Sequence, residues 1–246
     1  MKLILAKDAF HASAMAAHVI EGQLKQKPAS WIGLSYSPTF NPMLAQLREA
    51  QAAKEAPFEH AHWMGLYEYF DVPAAHTLKA NLAVKLLDPI GVDAEHRHFF
   101  DPNELIKEAS VFNQFLDLIE PLDLGITTIG ADGHLAYNQA GTVLSPRIHI
   151  DRLTDSTRMN LAVDYDDLTE VPNRVLTVGV ADLLRVRKLV VFCVGKTKSA
   201  IVKTVLESKT VSTLVPATML LLHPNCILIA DAEAASLLTI DKPDFR

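Results

Sequence analysis

The chain has 246 residues, 49% of them hydrophobic and 21% charged, with a formal net charge of −6. This composition excludes disordered and fibrous chains, and one large α/β domain accommodates the whole length. No block of lysine and arginine stands out, which argues against nucleic acid as a partner; a few well-placed cations still suffice to bind a small anion.

Short apolar runs alternate with longer amphipathic stretches. In chain order the pattern predicts a strand at 2–5, a helix at 8–25 with Asp8 as N-cap, and a strand at 31–34 followed by a loop at 35–41. A helix starts near Pro42, with proline in its first turn. A strand at 62–67, a helix at 74–87, a helix at 103–119 capped by Asn103 or Asp101, and a strand at 122–129 come next. The stretch 142–168 has no clean period. Beyond Val171-Pro172 the pattern predicts helices at 181–186, 196–207, 216–222 and 232–238 and strands at 188–194 and 226–230. Strands alternating with helices imply one Rossmann-like α/β domain over 1–246, a mostly parallel sheet with helices on both faces. Cys193 and Cys226 sit in apolar runs and read as buried, reduced core residues. No apolar run approaches the ~18 residues of a membrane span, and the apolar start is too short for a signal-peptide core, so a cytoplasmic protein with no membrane partner is expected.

In open parallel sheets ligands bind at the carboxyl ends of the strands. Four loops leave such ends, at 35–41, 67–72, 130–139 and 195–198. In the third, Asp132 and His134 flank Gly133, whose freedom of φ lets both side chains project into one crevice. A carboxylate beside an imidazole fixes its tautomer and suits it to general acid–base work; the plain alternative is a surface Asp-Gly turn. Lys198, on the loop Gly195-Lys-Thr-Lys198, stands at a helix start where phosphate binds well, though the glycine pattern of a Walker loop is missing. The hydroxyls of Ser35, Tyr36, Ser37 and Thr39 offer further ligands for phosphate oxygens. Glu68 is an acid at a strand end and a candidate base, against the plain reading of an exposed carboxylate. The pairs His60/His62 and His96/His98 invite a metal, but nothing near them in sequence completes a ligand set; neither metal nor cofactor is expected.

The segment Ile129-Gly-Ala-Asp-Gly-His-Leu-Ala-Tyr-Asn138 resembles the signature Gly-x-Asp-Gly-His-Ile-Ala-Phe-Asn-Glu-Pro of the glucosamine-6-phosphate deaminase/isomerase family. Ser145-Pro-Arg, Leu153-Thr-Asp-Ser-Thr-Arg158, Val171-Pro, Leu176-Thr-Val-Gly-Val180, Gly195-x-x-Lys198 and Leu222-His-Pro224 are also similar to the family. The related 6-phosphogluconolactonases share Asp-Gly-His and then diverge. The resemblance implies conversion of an amino-sugar phosphate, with a gluco or galacto configuration, to a keto-hexose phosphate plus ammonia. It implies His134 as the ring-opening base supported by Asp132, Lys198 and Thr39 on the phosphate, and a lid at 142–168 that excludes water. A homo-oligomer is compatible with it.

Four positions depart from the family pattern. Gln139 stands for a glutamate and carries no charge. Tyr67 stands for the aspartate that moves the C2 proton, in a triplet Tyr67-Glu68-Tyr69. Ser37-Pro38 replaces a glycine pair, and Val163 falls where an arginine binds phosphate. A positioned base contributes about 10²–10⁴-fold in rate. The departures therefore open two other readings: a phosphosugar-binding regulator without turnover, and a lactone hydrolase of the 6-phosphogluconolactonase kind.

Overall fold

A computed structural model describes residues 1–101, 103–119, 121–144 and 147–240. Ser145 and Pro146 of the family-like triplet lie outside them. Seven strands form one parallel sheet: β1 (Lys2–Ala6), β2 (Trp31–Leu34), β3 (His62–Gly65), β5 (Arg97–His98), β6 (Leu124–Thr127), β9 (Leu189–Cys193) and β10 (Cys226–Asp231). Their spatial order is β1-β10-β9-β6-β2-β3-β5. Along β9, Val190 and Phe192 enter one hydrophobic cluster while Leu189, Val191 and Cys193 enter another. Period-two alternation with both faces apolar is what a sheet covered on both sides requires.

One face is covered by α1 (Ala9–Gln26) and α2 (Asn41–Ala52), which bury Ala16, Ile20, Leu24, Met43, Leu44 and Leu47. The other is covered by α4 (Leu105–Leu118), α6 (Val180–Arg185) and α7 (Ser199–Glu207), through Phe112, Leu183, Val202 and Val205. Asp8 caps α1 as expected, its carboxylate accepting the His11 N–H at 2.9 Å. Cys193 and Cys226 are buried free thiols, and burial pushes them up to about 11 and about 12 respectively. No helix among the described residues is long and apolar enough to cross a membrane.

Three expectations about elements need correction. The run at 62–67 is not one strand: β3 ends at Gly65, and Tyr67–Tyr69 (β4) leaves the sheet to begin a second, antiparallel one. Its partners are β8 (Arg174–Thr177) in the centre and β7 (His149–Arg152) on the far side, so the aperiodic stretch 142–168 contains a strand, and α5 (Asp155–Leu161) as well. The helix expected at 74–87 is broken into a 3₁₀ turn (Ala74–His76), the short α3 (Leu78–Leu82) and a π-helical segment (Ala83–Leu87). The last helix, at 232–238, is a chain of turns, because Asp231 Oδ1 takes the Ala234 N–H at 2.8 Å and closes the chain locally.

Candidate active site

The carboxyl ends of β2, β6 and β9 are neighbours, so the loops that leave them meet. Ser35, at the end of β2, faces Thr127 at the end of β6, with hydroxyls 3.1 Å apart inside the sheet rather than in the crevice. From β6 the chain folds back on itself: Gly130 N donates to His134 O (2.9 Å) and Gly133 N to Gly130 O (3.0 Å). Gly133 adopts φ +90°, a conformation that favours glycine. A Cβ on Gly130 would lie 2.3 Å from the His134 ring and 2.4 Å from Asp132 Oδ1, so the contact between these two side chains exists only because residue 130 has no side chain.

That contact is the centre of the loop. Asp132 Oδ1 lies 2.7 Å from His134 Nδ1. The other carboxylate oxygen accepts from Thr157 Oγ1 at 3.0 Å and Thr154 Oγ1 at 3.3 Å, both from the start of α5. Burial disfavours the Asp132 carboxylate, but the hydrogen bond and charge of His134 and the Thr157 hydroxyl outweigh it and hold it well below the usual carboxylate range. With Nδ1 turned to Asp132, the imidazole presents Nε2 outward. Asn138, fully buried, pins the loop to the neighbouring strands by donating to Leu135 O (2.8 Å) and Val178 O (3.0 Å).

The His134 ring stacks on Tyr137, centroids 5.3 Å apart at 21°. Behind Tyr137 lies a cavity of about 360 Å³. All five tyrosines of the chain line it: Tyr36, Tyr67, Tyr69, Tyr137 and Tyr165. The Tyr67 hydroxyl donates to Tyr36 O at 2.6 Å, the Tyr69 and Tyr137 hydroxyls bond to each other, and Tyr67 meets Tyr137 edge to face at 4.7 Å. Burial raises Tyr67 and Tyr69 well above the ordinary phenol value and Tyr137 to about 12. These phenols are therefore proton-bearing donors near neutrality, not bases. The wall also carries His76, stacked on Tyr165 at 4.3 Å and 20°, with Lys85 and Asp164.

Tyr67 thus lies in the crevice as expected, while Glu68 does not. Side chains of adjacent strand residues point to opposite faces. The Glu68 carboxylate is 1% exposed and accepts three backbone N–H bonds, from Tyr69 (2.9 Å), Leu78 (2.8 Å) and Lys79 (3.0 Å). Burial raises it and those donors oppose the rise. It is the anchor of the first turn of α3, and the reading of Glu68 as a base or as an exposed carboxylate is corrected on that geometry. Gln139 is buried, gives its backbone N–H to Asp151 (3.2 Å), and borders a separate recess with His149 and Asp151, away from the tyrosines. Lys198 is deep in the site, its Nζ donating to Ile129 O at 2.6 Å; burial lowers it, and Asp132 works against that shift. It does not border the tyrosine cavity. Ser37 does, with its hydroxyl 2.6 Å from that of Thr39.

The sequence reading missed Thr154, Thr157, His76, Lys85, Asp164 and Tyr165. The two threonines stand in the family-like run Leu153–Arg158, which was the available signal. The scarcity of tyrosine was a second: five in 246 residues, three of them between positions 36 and 69. Of the histidine pairs, His62 and His98 meet across β3 and β5 with ring nitrogens 3.1 Å apart and both stack near Trp31, whereas His60 stays exposed beside Glu59. They lie at the start of β3, at the opposite end of the sheet from the crevice.

No protein-family model matches the chain. It is 29% identical over 248 residues to a glucosamine-6-phosphate deaminase of Geobacillus sp. (strain WCH70), covering 98% of both chains. It is likewise 29% identical to the glucosamine-6-phosphate deaminase of Clostridium perfringens (strain 13 / Type A), covering 97% of this chain and 100% of that one. Among solved structures, a monomeric glucosamine-6-phosphate deaminase superposes with a TM-score of 0.93 at 25% identity, over 96% of this chain and 100% of that chain. The 6-phosphogluconolactonase from Trypanosoma brucei superposes with a TM-score of 0.80 at 15% identity, over 97% and 98% of the two chains, a likeness of fold.

Proposed function

The chain belongs to the glucosamine-6-phosphate deaminase/isomerase family as a divergent member, and on that footing we propose that it converts an amino-hexose 6-phosphate to a keto-hexose phosphate and ammonia. The observation that carries the proposal is the Asp132–His134 pair: 2.7 Å apart, clasped by Thr157 and Thr154, and set at the carboxyl edge of the sheet. Opening a pyranose needs a proton moved between the ring oxygen and the anomeric hydroxyl. Asp132 holds Nδ1 of His134 and keeps the ring oriented, leaving Nε2 to exchange that proton. Tyr137, stacked on the imidazole, limits its rotation.

In this reading the sugar enters the tyrosine cavity, where ring faces pack on its C–H edges and phenol O–H groups donate to its hydroxyls. The C2 proton is the difficult step. Tyr67, in the position of the family's aspartate, keeps its own proton, and Asp164 is the single carboxylate on the cavity wall among the described residues. We propose slow turnover for that reason. Purified protein with glucosamine-6-phosphate or galactosamine-6-phosphate should release ammonia and ketose phosphate above a His134→Ala control; equality with that control sinks the enzymatic reading.

The same Tyr67 observation favours one second reading, phosphosugar binding without turnover. Calorimetry that gives a saturable heat with glucosamine-6-phosphate while no ammonia forms would select it.

A further inference from the structure

Lys85 is the unassigned residue that this site makes most of. Four facts meet at it. First, it stands in the middle of the π-helical segment Ala83–Leu87, where Asp88 N reaches back five residues to Ala83 O at 2.9 Å. A π turn inserts one residue into a helix and rotates the turns on its two sides by about 100° relative to each other; such turns are rare and cluster at functional sites. Second, the segment is tied from outside, since the Arg48 guanidinium of α2 donates to the Lys85 carbonyl. Third, the rotation brings Lys85 to the wall of the tyrosine cavity, with Nζ 5.7 Å from the centroid of the Tyr36 ring. Fourth, the half-buried ammonium forms no ion pair with a carboxylate among the described residues, and it is the one lysine or arginine on that wall.

A half-buried ammonium without a counter-ion beside a cavity is an anion site in waiting. The sequence reading gave the phosphate to Lys198, but its Nζ is bonded to Ile129 O and lies outside the cavity lining. The family's arginine position is Val163, 83% exposed and unable to hold an anion. Lys85 shares its wall with Ser37, whose hydroxyl is the nearest of the expected phosphate ligands to border the cavity.

We propose that Lys85 is the principal anchor of the ligand's phosphate, so that the phosphate end of the sugar lies in the tyrosine cavity between Lys85 and Ser37. This rests on the phosphosugar reading above. It makes Lys85 a substrate-binding residue and reduces Lys198 to support of the loop beneath the dyad.

The test compares Lys85→Ala, Lys85→Arg and Lys198→Ala against the wild type, with glucosamine-6-phosphate, unphosphorylated glucosamine and inorganic phosphate as ligands. Losing one charge-assisted contact to phosphate should raise KM for glucosamine-6-phosphate about 10–100-fold in Lys85→Ala, with the smaller part of the loss in kcat. Lys85→Arg should recover most of it, and binding of glucosamine should be untouched. A KM unchanged in Lys85→Ala, or an equal loss for glucosamine and its phosphate, overturns the inference, and the second result marks Lys85 as structural. A KM effect confined to Lys198→Ala also overturns it. Where the wild type shows no turnover, the enzymatic reading fails by itself and calorimetry still decides: inorganic phosphate bound by wild type and lost in Lys85→Ala upholds the anchor, and equal binding, or none by wild type, refutes it.

Discussion

The two halves of the crevice are built on opposite terms. On the dyad side, every part answers to a geometric requirement: Gly130 has no Cβ because one would strike both partners, Gly133 takes φ +90°, and two threonines occupy the oxygen that His134 leaves open. On the cavity side the contacts are ring to ring and phenol to phenol, and the charged groups stand singly. The first side accepts almost no substitution without losing its chemistry. The second can exchange a carboxylate for a phenol and keep its shape. Fold and ring-opening machinery can therefore persist while the step at C2 and the grip on phosphate are rebuilt.

Substitutions on either side test that contrast. The largest effect belongs to the dyad: His134→Ala, or Asp132→Asn, should cost about 10²–10⁴-fold in kcat with an unchanged melting curve. Gly130→Ala should abolish the 2.7 Å contact while leaving the protein folded, at about 1–3 kcal/mol of stability, read by urea unfolding beside activity. If this variant retains full turnover, the dyad side is not the rigid half. Glu68→Ala should lower stability by about 1–3 kcal/mol through the stranded N–H groups of Leu78 and Lys79, and Glu68→Gln much less because it keeps an acceptor oxygen. An activity in Glu68→Gln close to wild type separates a helix anchor from a base. Tyr67→Phe removes one bond to Tyr36 O and should cost only about 0.5–1.5 kcal/mol, with the cavity otherwise intact.

The smallest effect is in acid. Burial, then the neighbouring His62 and His96, lower His98 to about 4. Because the folded value is depressed, the unfolded chain binds the proton first, and stability present near neutral pH declines as pH falls from the ordinary histidine range toward 4. Tryptophan fluorescence should register this through Trp31, stacked on His62 at 4.3 Å; a flat profile for stability between pH 7 and 4 contradicts it.

Much of this was legible in the chain. Strand–helix alternation identified all seven strands of the main sheet except Arg97–His98, which at two residues is too short to carry a period. Asp132 and His134 were readable because glycine and a short spacing constrain so few conformations. Three features were not readable. Tyr67–Tyr69 continues an apolar run, and nothing local says that the chain changes sheets at Leu66. The π turn has no compositional mark, so nothing directed attention to Lys85. Glu68 looks like a free acid in sequence because its partners, the amides of residues 78 and 79, are backbone groups that any residue supplies.

The second sheet sets the mechanics of the segment over the site. Strand β7 is hydrogen-bonded along His149–Arg152 to β8, and Leu153 N continues the pairing to Asn173 O at 2.9 Å. The stretch 142–168 is thus stapled in its middle, and a swinging arm has its pivot after Leu153, not at residue 142. What remains free is an arm from Asp155 onward whose outer side leaves Met159, Val163 and Leu168 in solvent. In hydrogen–deuterium exchange this predicts two clocks within one loop: slow amides through Arg152, fast ones through α5, and a ligand that slows only the second.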